Sequence, residues 1–126
     1  MLFSMKELHK KVKYEYDKLK NLTCPGLDNE VIFFYRSGYN HLIRKGRKFR
    51  SRKEVLRRTG LLSRVVEVVS SRLIEVAIRR EEGAIFWELR KRFKDRDIIV
   101  VIRQLGTGPK HFFSVMDEKI KNHPSG

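Results

Sequence analysis

The sequence predicts an α+β fold: N-terminal helices packed on a four-stranded antiparallel β-meander. Apolar residues recur at helical spacing near the N-terminus and again after residue 52. From residue 73 onward the apolar period changes to two, and turn residues at 81–83 and 106–109 help to divide that half into four strand-like segments. A chain of 126 residues, 40% hydrophobic and 35% charged, suits one domain with a single modest core and a heavily charged surface.

Residues 4–21 read as the first helix, because Met5, Leu8, Val12, Tyr16 and Leu19 recur three and four apart and form one stripe. Lys6, Lys10, Lys11, Lys13, Lys18 and Lys20 take the other faces. The stripe is expected to pack on the core rather than on a membrane surface, and His9 to be solvated. Pro25 cannot continue a helix and Gly26 relaxes the backbone, so the chain turns there. Residues 31–35 then form a short strand, broken by Ser37 and Gly38.

Ser51 and Glu54 have the spacing of a capping box, which starts a helix near residue 52 with Val55, Leu62, Val65, Val66 and Val69 inward. Gly60 weakens that helix by about 1 kcal/mol relative to Ala, enough to bend or divide it. Strands are expected at 73–79, 84–90, 98–104 and 110–116. The run 98–102 is apolar on both faces and should be central and covered on both sides. Trp87 reads as a packing residue, and the tail 117–126 as a short helix that frays, with no role for His123. The single domain divides into an N-terminal helix (1–22), a core (31–116) and this tail.

Charge is the strongest functional signal. Residues 41–58, HLIRKGRKFRSRKEVLRR, hold nine Lys or Arg against one acid, Glu54, in a chain of net charge +14 and pI about 10.3. Such self-repulsion calls for a polyanionic partner. Arg44, Lys45, Arg47, Lys48, Arg50, Arg52 and Lys53 are the expected nucleic-acid contacts, joined by His111. No segment approaches the roughly 20 apolar residues of a membrane span, and the charged N-terminus does not read as a secretory signal. Cys24, the one cysteine, excludes an internal disulfide and a cysteine zinc site. A cytoplasmic protein with no membrane partner is expected. His9, His41, His111 and His123 are scattered without an acidic pair, so no metal and no cofactor is expected.

The remaining chemistry is basic and polar. RNA can be cut without a metal when a base takes the 2′-hydroxyl proton and cations hold the phosphate. His41, Arg44, Arg103, Lys110, His111 and Ser114 supply that inventory. If the 106–109 turn pairs Leu105 with Lys110, then Arg103 faces Phe112, Val101 faces Ser114 and Gln104 faces His111. One residue of slip would change these pairs.

A strand, then NHLIRK, then a helix rich in Leu and Val, then a meander ending VVIRQLGTGPKHFFSVM: over residues 31–116 this resembles the phage-associated nucleases of the barnase–EndoU–colicin–RelE-like class. The helix at 4–21 looks like the N-terminal helix common in that fold. The resemblance implies a metal-independent RNA-cutting domain, toxin-like or a phage effector. It matches His41 to the histidine that opens the family's helix, Arg103 to the cation late in the central strand, and Ser114 to a Ser or Thr in the last strand. Where the family often has a second histidine or cation, this chain has Arg44 or Lys45. The expected catalytic set is therefore His41, Arg103, Ser114 and Lys110. The expected partners are RNA, including tRNA or ribosome-bound RNA, and a small acidic inhibitor or antitoxin, since a cytoplasmic nuclease needs restraint. The alternative is a non-catalytic basic nucleic-acid-binding protein, which requires only the charge.

Overall fold

Ser4 Oγ accepts a hydrogen bond from Glu7 N at 3.1 Å and so caps α1 (Met5–Asp17), whose stripe Leu8, Val12 and Tyr16 is buried. The structure, a computed structural model, describes residues 4–119. α1 stops at Asp17, short of the expected residue 21. The chain then doubles back as two short antiparallel strands, β1 (Leu22–Cys24) and β2 (Glu30–Ile32), joined through a 3₁₀ turn at Pro25–Leu27. The reason is burial: Leu19 and Leu22 pack against the core and Cys24 is fully enclosed, which a straight continuation of α1 would not allow. Strand pairing ends at Ile32, and Phe33 instead lies parallel to the last strand. Its N donates to Lys110 O at 3.0 Å, and its own carbonyl accepts from Phe112 N at 2.9 Å.

Ser37 and Gly38 do not break the chain; they lie inside α2 (Arg36–Ile43), a helix the sequence did not reveal. A Cβ on Gly38 would meet Tyr16 Oη at 2.5 Å and Phe112 O at 2.9 Å, so glycine is there for close packing and not for a turn. His41 consequently sits in the last turn of α2 and not at the head of a helix. A hairpin follows, β3 (Arg44–Lys45) and β4 (Lys48–Phe49), turning at Gly46 with φ +65°.

α3 (Arg52–Ser70) starts where the capping box predicts, with Ser51 Oγ accepting from Glu54 N at 3.2 Å. The reciprocal half is replaced, because the Glu54 carboxylate accepts from Arg58 Nε at 2.8 Å. The helix runs unbroken through Gly60, which faces open space. Its buried face is Val55, Leu61, Leu62, Val65, Val68 and Val69, while Val66 is 41% exposed.

The second half is the expected meander: β5 (Glu75–Glu81), β6 (Ala84–Phe93), β7 (Arg96–Leu105) and β8 (His111–Lys119), in that spatial order and antiparallel throughout. Asp117, Glu118 and Lys119 extend β8, pairing with Ile98, Asp97 and Arg96, so they do not begin a helical tail; His123 lies outside the described residues. β7 is central. Ile98, Val100 and Ile102 face a core built with α1, α2 and α3. Ile99 and Val101 face a smaller cluster with Phe86, Phe113 and Met116. Trp87 packs against the larger core, as expected. Among the described residues no helix is long and apolar enough to cross a membrane.

Candidate active site

A bulge in β8 organises the site. Val101 pairs with Ser114 as expected, but Ile102 pairs with Phe112 and Arg103 with His111, so β8 contains one extra residue, Phe113. The slip moves Phe113 to the side of the smaller cluster and sets Arg103 beside His111. Arg103 Nε donates to His111 Nε2 at 2.9 Å, and the His111 Nδ1–H points to the Pro109 carbonyl at 3.3 Å. These partners assign the neutral Nδ1–H tautomer.

α2 carries His41 to the same ring. The His41 and Phe113 centroids are 4.4 Å apart, and the Arg103 guanidinium carbon lies 4.8 Å from the Phe113 centroid. Arg50, just past β4, donates from Nε to His41 O at 3.0 Å and places Nη2 3.5 Å from His41 Nε2. Arg58, from α3, donates from Nη1 to Ser114 Oγ at 3.1 Å and Val115 O at 3.3 Å, while its Nε holds Glu54. His41 and three guanidiniums, from three elements and the residue after β4, thus gather at β8, with Glu54 anchoring one of them. Beside them Tyr35, 41% exposed, stacks on Phe33 at 5.7 Å and meets the His111 ring at a tilt of 40°, centroids 5.5 Å apart.

Burial, reinforced by the charges of Arg50, Arg58 and Arg103, lowers the His41 pKa from 6.5 to about 4. His41 is therefore neutral at physiological pH. Burial lowers the pKa values of Arg50 and Arg103, and neighbouring Arg58 adds to the effect on Arg50. Burial opposes ionisation of Glu54, yet Arg58 and Arg57 outweigh it and hold the carboxyl below its usual range. An anion among these guanidiniums would offset both their desolvation and their mutual repulsion.

The predicted residues therefore separate. His41 and Arg103 meet at Phe113. Ser114 is buried and its Oγ accepts from Arg58, so it positions a guanidinium and does not reach outward. Lys110 points elsewhere: its ammonium pairs with Glu30 and lies 4.6 Å from the Trp87 ring centroid, on the side of the larger core. His111 is only 5% exposed and both ring nitrogens are engaged, so it supports Arg103 and does not meet a polymer directly. Arg44, Lys45, Arg47 and Lys48 project from the exposed hairpin, and Arg52 and Lys53 sit at the start of α3. Sequence reasoning missed Arg58, Glu54, Phe113 and Tyr35. The four-residue spacing of Glu54 and Arg58 was the one legible signal, as a helical ion pair.

Among the described residues no group of three or more His, Cys, Asp or Glu could hold a metal ion. Comparison with family models, curated proteins and solved structures finds no match to this chain.

Proposed function

We propose that this chain is a metal-independent RNA endonuclease of toxin or phage-effector type, resembling the barnase–EndoU–colicin–RelE-like class and working in the cytoplasm. The observation that supports it is a neutral imidazole beside three half-buried guanidiniums along β8. His41 takes the proton of a 2′-hydroxyl as that oxygen bonds to the adjacent phosphorus. The bond from phosphorus to the 5′-oxygen breaks, the oxygen leaves with the electron pair, and solvent protonates it. The products are a 2′,3′-cyclic phosphate and a 5′-hydroxyl. Arg50, Arg58 and Arg103 stabilise the charge that grows on the phosphoryl oxygens. Tyr35 offers a ring on which a flanking base stacks. The substrate is RNA, tRNA or a ribosome-bound strand, and a small acidic protein would restrain the enzyme by covering the arginines.

The test is incubation of purified protein with tRNA, total RNA and ribosome-bound mRNA in EDTA. Fragments ending in 2′,3′-cyclic phosphate are expected, and His41→Ala should abolish them while RNA binding persists. RNA left intact under all three conditions would instead favour a non-catalytic basic nucleic-acid-binding protein. That reading is supported by the four exposed cations of the β3–β4 hairpin, which bind through charge alone.

A further inference from the structure

A concavity lies beside the same hairpin. It encloses about 570 Å³ between α1, α2 and β4, and Met5, Tyr39 and Phe49 supply its apolar surface. Lys6, Lys10 and Arg36 also line it, and none of the three is in an ion pair among the described residues. Among the described residues no acidic residue lines it. Phe49 is 54% exposed, although His9 lies 5.1 Å from it ring to ring and the Arg44 guanidinium carbon 4.2 Å from its centroid. His9 Nε2 is buried in this wall with no hydrogen-bond partner among the described residues. The chemistry is that of a flat, apolar or aromatic group carried between negative charges.

The placement narrows the occupant. Phe49 belongs to the pocket and Arg50, the next residue, belongs to the His41 cluster. Arg50 N donates to Ile43 O at 2.8 Å, so the extended pairing of the hairpin continues through it. Successive side chains on extended backbone point to opposite faces. One backbone step therefore separates an aromatic pocket ringed by ammonium groups from a guanidinium cluster suited to phosphate.

We propose that this pocket binds a nucleobase of single-stranded RNA, splayed out beside the phosphate held at His41, Arg50, Arg58 and Arg103. The proposal rests on the endonuclease reading and adds a base subsite to it. Phe49 forms the stacking surface, and Lys6, Lys10 and Arg36 hold the flanking phosphates.

The experiment is a double comparison at fixed salt. Short single-stranded RNA and the same strand with abasic positions are titrated against the wild-type chain, Phe49→Ala and Lys6→Glu/Lys10→Glu, with thermal unfolding as the folding control. The wild type should bind the abasic strand about tenfold more weakly, the size of one lost base stack. Phe49→Ala should bind intact RNA about tenfold more weakly and show no further loss on the abasic strand. Lys6→Glu/Lys10→Glu should weaken both strands alike. Equal losses for Phe49→Ala on both strands, or wild-type binding by Phe49→Ala, would overturn the pocket. If that happens while RNA is still cleaved, the endonuclease reading survives alone. If base-dependent binding appears without cleavage, the pocket stands and the catalytic reading falls. Binding of a polyglutamate peptide that depends on Phe49, with RNA binding unaffected, would assign the pocket to an acidic protein and overturn the proposal.

Discussion

His41 is the residue on which environment acts most strongly. Burial first, then three neighbouring guanidiniums, hold it neutral down to about pH 4, against an ordinary value of 6.5. The unfolded chain takes up that proton near pH 6.5 and the folded chain only near pH 4. Between those values the unfolded state binds more protons, so stability falls as pH drops through the window. Urea midpoints at pH 7 and pH 4.5 should show a larger acid loss for the wild type than for His41→Gln. Arg103 and Lys110, both in the catalytic set expected from the sequence, should behave oppositely. Arg103→Ala leaves the buried His111 Nε2 unpaired, costing about 1–3 kcal/mol, and should depress RNA cleavage. Lys110→Ala removes the contacts to Glu30 and Trp87 and should leave cleavage at the wild-type level. Equal effects of the two changes on cleavage would contradict the separation of their side chains.

At the scale of elements, two helical glycines differ in kind. Gly38 is squeezed between α1 and β8, and a methyl there must displace the Phe112 backbone. Gly38→Ala should cost about 1–3 kcal/mol as overpacking, and it should disturb cleavage because α2 carries His41. Gly60 faces open space in α3, so Gly60→Ala should stabilise by up to about 1 kcal/mol. Denaturant midpoints of the two variants should move in opposite directions. The same contrast explains how α2 escaped notice. Gly38 reads locally as a breaker, and only the approach of Tyr16 and Phe112 makes it a packing residue. α3, by contrast, is legible because Ser51 and Glu54 begin a long apolar period that tertiary contacts reinforce.

For the whole molecule, the net charge of +14 is the controlling quantity. Single-stranded RNA binding should weaken linearly in log affinity against log salt. Replacing Arg44, Lys45, Arg47 and Lys48 by Gln should reduce the magnitude of that slope by about 3, at about 0.7 per lost phosphate contact. An unchanged slope would mean that the hairpin does not meet the polymer. The α+β class and the order of the meander follow from the change of apolar period after α3, because a sheet with one face against helices must alternate. The continuation of β8 through Lys119 was not legible, since the polar residues Asp117, Glu118 and Lys119 carry no alternation and are ordered by pairing with β7.

The sequence by itself determined the α3 cap, the four strands, the central position of β7 and the cationic run, because each depends on residues close together in the chain. Tertiary structure alone decided the site. α2 turns His41 toward Phe113, the bulge brings Phe113 and Arg103 to one face, and β8 offers Ser114 to Arg58. A bulge shifts side chains by a single residue, and no local propensity registers it; packing against a helix from another part of the chain does.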